Sequence, residues 1–274
     1  MRQDRHLARS YYLSAMSTAP PTILITGAAG GIGAATARRF ADRGYFVGLL
    51  DVNAEPLQHL ATELAERCFH AVTDVTDPQS CRRALLEFTK RTDGRLDILL
   101  NNAGITAVGD FETIPLERNL AIVDVNLKGG MMLTQLAFPY LRDTPNSQVL
   151  FLASASSLHG NPELVSYALT KRALLSLAES LDLSWERHGI RAKTLNPIYV
   201  RTNLVTDTQH LHRNLTDRQI ELSADDVARE LVRVVSSKRV HHYLGGQTKL
   251  FSRIRGILPF GWRRRIMRDS IDYR

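Results

Sequence analysis

The feature that most constrains this chain is an alternation of short apolar runs with longer helical stretches, repeated from Thr22 to about Leu244. The runs ILIT (23–26), FVGLLD (46–51), FHAVTDV (69–75), DILLNN (97–102), QVLFLAS (148–154) and RAKTLN (191–196) are bounded by turns and read as buried strands. Between them, 32–43, 55–66, 78–91, 115–141 and 167–188 carry helical patterns. Strands alternating with helices of this length predict an α/β fold, a doubly wound parallel sheet with helices on both faces. Ser223-Ala-Asp-Asp226 is a capping box opening a further helix to about Ser237, and VHHYL (240–244) adds an edge strand. The simplest organisation is one domain over 21–248, preceded by a flexible arm (1–20) and followed by a basic amphipathic extension (249–274).

Composition narrows the function classes. The 274 residues are 44% apolar with charges of both signs interleaved, which argues against disorder. No apolar run reaches the roughly 18 residues of a membrane-spanning helix. Residues 1–15 lack the apolar core of a secretory signal, and Met16 offers a second start, so a cytoplasmic protein is expected. Cys68 and Cys81 are too few for a disulfide scaffold and have no metal-ligand spacing, so no metal is expected. The net charge of +7 sits at the ends: residues 249–274 hold eight Lys/Arg against Asp269 and Asp272, while residues 17–248 are near neutral. A nucleic-acid surface spread over the fold would not segregate this way, and no nucleic-acid partner is expected.

Between the first strand and first helix lies Thr26-Gly27-Ala-Ala-Gly-Gly31-Ile-Gly33. Gly27 and Gly31 allow a tight turn, Gly33 allows the helix close to the sheet, and the helix N-terminus offers N–H groups to a pyrophosphate. Asp51 ends the second strand, 18 residues after Gly33. A carboxylate there accepts both hydroxyls of an adenosine ribose and repels a 2′-phosphate. No Arg or Lys stands in the loop or directly after Asp51, so NAD(H) is favoured over NADP(H).

Tyr167 and Lys171 lie four apart on one helix face. An adjacent ammonium favours the phenolate, and such a tyrosine can exchange a proton with an alcohol or carbonyl oxygen while a hydride moves to or from a nicotinamide. Ser154, at the end of QVLFLAS, is placed to orient that oxygen.

Taken together, TGAAGGIG (26–33), Asp51, Asp74-Val75, NNAG (101–104), Asn126, Ser154, Tyr167-xxx-Lys171 and Asn196-Pro197 resemble the short-chain dehydrogenase/reductase family, in family order over residues 22 to about 245. The resemblance implies a Rossmann sheet with Gly27, Gly31, Ile32 and Gly33 on the pyrophosphate and Asp51 on the adenosine ribose. It puts Asp74 and Val75 beside the adenine, and Asn101, Ala103 and Gly104 along the cofactor. It makes Tyr167 the proton donor or acceptor and has Ser154 polarise the substrate oxygen. Lys171 would bind the nicotinamide ribose and lower the tyrosine pKa, and Asn126 would hold a water of the proton relay. On composition alone Asn126 is as readily a residue that satisfies a kinked helix backbone. Pro197, Val200 and Thr202 match positions beside the nicotinamide, although Ile198 stands where the family usually has glycine, which predicts a reshaped turn.

The stretch around 198–222 corresponds to the family's substrate lid, and Ser156, Leu158, Asn161, Leu164 and Tyr199 would surround a medium-sized, partly apolar alcohol or carbonyl substrate. The long apolar faces of 115–141 and 167–185 are candidates for a homodimer or homotetramer interface. LFSRIRGILPFGWRRRIMRD (250–269), expected to break at Pro259 and Gly261, suits either a surface-lying helix pair on an anionic membrane or a tail packed on the domain or a partner subunit. The function expected is an NAD(H)-dependent oxidoreductase interconverting a secondary alcohol and a ketone or aldehyde. The alternative is a non-catalytic, dinucleotide-sensing protein of the same fold, which would not require an intact Ser154, Tyr167 and Lys171.

Overall fold

The computed structural model describes residues 19–201, 222–254 and 257–270. Its first half runs β1 (Thr22–Thr26), α1 (Gly31–Ala41), β2 (Phe46–Asp51), α2 (Ala54–Leu64), β3 (Cys68–Val72), α3 (Pro78–Arg91) and β4 (Ile98–Asn101). The second half continues with α4 (Leu116–Val123), α5 (Gly130–Asp143), β5 (Gln148–Leu152), α6 (Val165–Trp185) and β6 (Arg191–Pro197). It closes with the short strands β7 (Val200–Arg201) and β8 (Leu222–Ser223), then α7 (Ala224–Ser236), β9 (His241–Leu244), α8 (Gly246–Ile254) and α9 (Phe260–Ser270).

Seven strands form one parallel sheet in the order β3-β2-β1-β4-β5-β6-β9. Because successive side chains alternate across a strand, each central strand feeds two cores. Ile23, Ile25, Val47 and Leu49 pack with Phe40, Leu57 and Leu231 on one face. Leu24, Leu50, Leu99 and Phe151 pack with Phe88, Leu133 and Leu174 on the other. The strand order reverses between β1 and β4, which opens a crevice at their carboxyl ends. Thr26 and Asn101 stand at its floor.

Several boundaries depart from the sequence reading for local reasons. The strand expected over 69–75 ends at Val72, because Asp74 Oδ1 accepts from the N–H and hydroxyl of Thr76 and bends the chain. The single helix expected over 115–141 is interrupted by a π-helical turn, Asp124–Gly129, in which Asn126 is buried. Gly261 does not break the C-terminal segment; it lies in the first turn of α9, and the break falls before it, at Pro259. The capping box of α7 forms with both reciprocal bonds, and the edge strand β9 pairs with β6. Ile198 does not take positive φ; its branched side chain lies beside Gly245, whose φ is +107°. No helix among the described residues is long and apolar enough to cross a membrane.

Candidate active site

The crevice is assembled on the nucleotide side by backbone geometry. Gly27 holds φ +63°, and a Cβ there would come 2.8 Å from Ala103 Cα. A Cβ on Gly33 would stand 2.2 Å from the Gly27 carbonyl oxygen, so only glycine lets α1 start this close to the loop. Gly30 caps α1 without any side-chain hydrogen bond, and the first turn, which contains Gly31, Ile32 and Gly33, has no acidic residue. That N-terminus therefore presents main-chain donors and a positive dipole end to an anion. The glycine cradle and the uncapped donors fit a dinucleotide pyrophosphate.

Three side chains brace this loop. Asn102 Nδ2 donates to the carbonyls of Thr26 (2.8 Å) and Gly27 (2.9 Å), while Thr26 Oγ1 accepts from the N–H groups of Asn102 and Ala103, both at 3.0 Å. Buried Asp51 uses both oxygens: Oδ2 accepts from Ala29 N–H at 2.9 Å, and Oδ1 from Asn53 N–H and Nδ2 at 2.9 and 3.0 Å. The sequence reading missed Thr26 and Asn102 as bracing residues. Their signal is a polar residue at the carboxyl end of each of the two strands that flank the switch point.

Further along, Asp74 is exposed and caps its own turn, whereas Val75 is buried against Gly129, where a Cβ would meet Val75 Cγ2 at 2.9 Å. Asn101 ends β4 and is buried. Its Nδ2 donates to Thr134 Oγ1 of α5 at 2.9 Å, because β4 alternation turns this side chain toward the helix layer.

Two of the side chains expected to react, Asn126 and Lys171, converge over Gly104, where a Cβ would lie 3.3 Å from Asn126 Oδ1 and 3.4 Å from Lys171 Nζ. The Asn126 amide grips Ile105, accepting from its N–H at 2.8 Å and donating to its carbonyl at 2.9 Å, and reaches Thr170 Oγ1 at 3.3 Å. The backbone it satisfies is thus not that of its own helix but that of the loop after β4, at which the π-helical turn aims it. Ser154 caps the 3-10 turn Ala155–Leu158, its Oγ accepting from Ser156 N–H at 3.1 Å. Tyr167 occupies the first turn of α6, with Lys171 one turn on and its Nζ 5.4 Å from the tyrosine ring centre. Lys171 is buried and donates to the Leu152 carbonyl at 2.8 Å.

Burial governs both titrations. It pushes the Tyr167 phenol up to about 12, against a hydrogen bond with Ser154 that works the other way and with a smaller upward push from Tyr199. It draws Lys171 down to about 8. Each charged form is disfavoured in a low-dielectric setting, and at Tyr167 desolvation outweighs the lowering by the Ser154 hydrogen bond. Burial also raises Tyr199.

Around them, Ser156, Leu158, Asn161 and Leu164 are buried in the segment between Ser154 and Tyr167, and Asn161 Oδ1 accepts from Glu163 N–H at 3.0 Å. Pro197 ends β6 and Val200 is buried in β7. Thr202 and most of the expected lid lie outside the described residues.

Comparison with known proteins gives a consistent relation. Residues 21–212 match the family model described as short chain dehydrogenase. The oxidoreductase UcpA of Escherichia coli K12 is 37% identical over 185 residues, 66% of this chain and 70% of that protein. The 3-oxoacyl-[acyl-carrier-protein] reductase FabG of Thermotoga maritima is 29% identical over 215 residues, 77% of this chain and 87% of the relative. Among solved structures, 3-ketoacyl-(acyl-carrier-protein) reductase of Brucella melitensis, complexed with NADH, superposes with a TM-score of 0.75 at 26% identity. The match covers 85% of this chain and all of that one.

Proposed function

The chain belongs to the short-chain dehydrogenase family and is an oxidoreductase of Rossmann fold; from that premise we propose that it interconverts a secondary alcohol and a ketone or aldehyde with NAD(H). The observation that carries this reading is the meeting of Ser154, Tyr167, Lys171 and Asn126 beside the glycine cradle. A nicotinamide dinucleotide, when bound, supplies or takes up the hydride. Gly27, Gly31, Ile32 and Gly33 would hold its pyrophosphate, Asp51 its adenosine ribose and Val75 its adenine. Asp74 would act through the turn it caps, and Ala103, Gly104, Pro197, Val200 and Thr202 would border the nicotinamide end with Lys171.

The protein's own groups then move the proton. At neutral pH the phenol raised by burial keeps its proton, the form that gives it to a carbonyl oxygen held by Ser154 Oγ. In the oxidising direction Tyr167 must first lose its own proton to solvent; the phenolate Oη then takes the alcohol proton, and the Lys171 ammonium, fixed by Leu152, offsets the charge while the phenolate lasts. Preference for NAD(H) is supported by the Asp51 carboxylate and by the lack of Arg or Lys in the loop.

The family face formed by α4–α6, with Leu116, Leu120, Met131, Leu169 and Leu183 exposed, supports a homodimer or homotetramer. Sedimentation of the free protein measures this directly.

The test follows nicotinamide absorbance with a panel of secondary alcohols and ketones, comparing NAD(H) with NADP(H). Tyr167→Phe should cost about 10³-fold in turnover while NADH still binds. A wild type that binds NADH yet matches the variant on every compound would establish the dinucleotide-sensing alternative instead.

A further inference from the structure

The C-terminal helices carry an exposed surface that neither the fold nor the catalytic crevice uses. Helix α8 is seated on the domain: Thr248 is buried, and Phe251 meets His159 edge-on at 6.0 Å, beside the 155–158 turn that follows Ser154. Four apolar side chains of this segment face solvent. Leu250, Ile257, Phe260 and Trp262 are 60%, 82%, 73% and 68% exposed. The same stretch is strongly basic, with Arg253, Arg264, Arg265 and Arg268 exposed and Arg263 stacked 5.7 Å from the Phe260 ring. Residues 249–274 together carry +6.

Two occupants could cover exposed apolar groups of this size, a second copy of the chain or a lipid surface. A two-fold contact would bring the same patch of both copies together and set one +6 segment against another. The α4–α6 face has the opposite character, since it offers apolar residues while Lys128 and Asp124 pair at 2.7 Å. Association between copies suits that face. The tail combines a tryptophan and a phenylalanine, which favour the headgroup level, with arginines whose stems lie along the interface while their heads meet anionic headgroups.

We infer that α9, together with the exposed end of α8, docks this protein on an anionic phospholipid surface. The docking surface adjoins the catalytic turn through Phe251 and His159 rather than lying across the molecule from it.

Co-sedimentation of the full-length protein with vesicles of phosphatidylcholine mixed with phosphatidylserine, and with phosphatidylcholine alone, tests this. The mixed vesicles should take up the wild type, and added salt should release it. Removing two cations in Arg264→Gln/Arg265→Gln should weaken partition about thirtyfold, and Phe260→Ala/Trp262→Ala should do so by at least as much. Both variants should keep the wild-type thermal transition and NADH binding, which separates loss of docking from loss of fold. Equal pelleting with neutral and anionic vesicles, or equal pelleting of variants and wild type, overturns the inference. So does a fall in oligomeric size of Phe260→Ala/Trp262→Ala without vesicles, which would assign the patch to a second copy. Retention on DNA with no uptake by vesicles would overturn it as well.

Discussion

Between β1 and α1, the polar side chains of Thr26, Asp51 and Asn102 spend their hydrogen bonds on main-chain groups, and the amides at the start of α1 are left to face a ligand. At the start of α6 the order is reversed. There the main chain of Leu152 and Ile105 holds the side chains of Lys171 and Asn126, and the working atoms are side-chain oxygens and nitrogens. The nucleotide half therefore acts through shape, and a substitution there should be felt as steric misfit. The half proposed to be catalytic would act through protonation, and a substitution there should be felt as a changed pH response. The two halves share one crevice but should fail in different ways.

The largest effect expected on the first side comes from Gly33→Ala. The added Cβ would meet the Gly27 carbonyl at 2.2 Å, and a backbone atom cannot rotate aside as a side chain can. Relieving it shifts α1 or the loop at a cost of about 3 kcal/mol, or roughly 100-fold in NADH affinity. Calorimetric titration with NADH checks it. Tyr167→Phe should leave the same titration unchanged while removing turnover. A Gly33→Ala protein that binds NADH normally would show that the loop is not held by shape.

This division also explains what the sequence made legible. Glycines that would clash with a Cβ, such as Gly27 and Gly33, are visible as letters because no other residue replaces them. Continuous apolar runs likewise marked the buried strands, from FVGLLD to QVLFLAS, and Ser223 with Asp226 marked the start of α7. What stayed hidden depended on direction or environment. Asn101 and Asn102 are identical letters, yet the first turns to Thr134 and the second braces the glycine loop, because neighbouring residues on an extended chain face opposite ways. The π-helical turn at 124–129 goes with the grip of Asn126 on Ile105, a contact with a distant loop that the local apolar pattern does not encode. The burial that raises Tyr167 depends on packing from distant segments, whereas spacing alone points only to the neighbouring Lys171.

On the catalytic side, the buried lysine makes stability depend on pH. Lys171 is drawn down to about 8, whereas the unfolded chain holds its proton to near 10.5. Between those values the unfolded state binds more protons, so the free energy of unfolding rises with pH across about 8 to 10. Below pH 8 the protein carries the full cost of burying the charge. Lys193, also drawn down to about 8 by burial, adds a second contribution of the same sign. Tyr167 acts oppositely, but only above pH 10, where the unfolded phenol ionises first. Lys171→Met should flatten the rise by on the order of 2 kcal/mol, measured by urea unfolding at a series of pH values. An unchanged slope would mean that Lys171 titrates normally and that the catalytic half is not governed by burial.

The comparison is sharpest at Asp51, a side chain in the half ruled by shape. Both of its oxygens already accept main-chain or side-chain N–H groups, so as a brace it is fully engaged without any ligand. Asp51→Asn separates the two roles. An amide has one accepting oxygen, so either Ala29 N–H or the Asn53 donors would face an NH₂ group, at a cost of about 1–2 kcal/mol in stability. If the carboxylate also meets the adenosine ribose, removing its charge should weaken NADH and favour NADPH, moving the preference between them by about tenfold. Titration of the variant with each dinucleotide, beside its thermal transition, reads both quantities. A lower transition with an unmoved NADH-to-NADPH ratio would make Asp51 a brace alone, and cofactor choice would then have to arise from residues outside the glycine loop. A shifted ratio would show one charged side chain setting specificity in a half otherwise built from backbone.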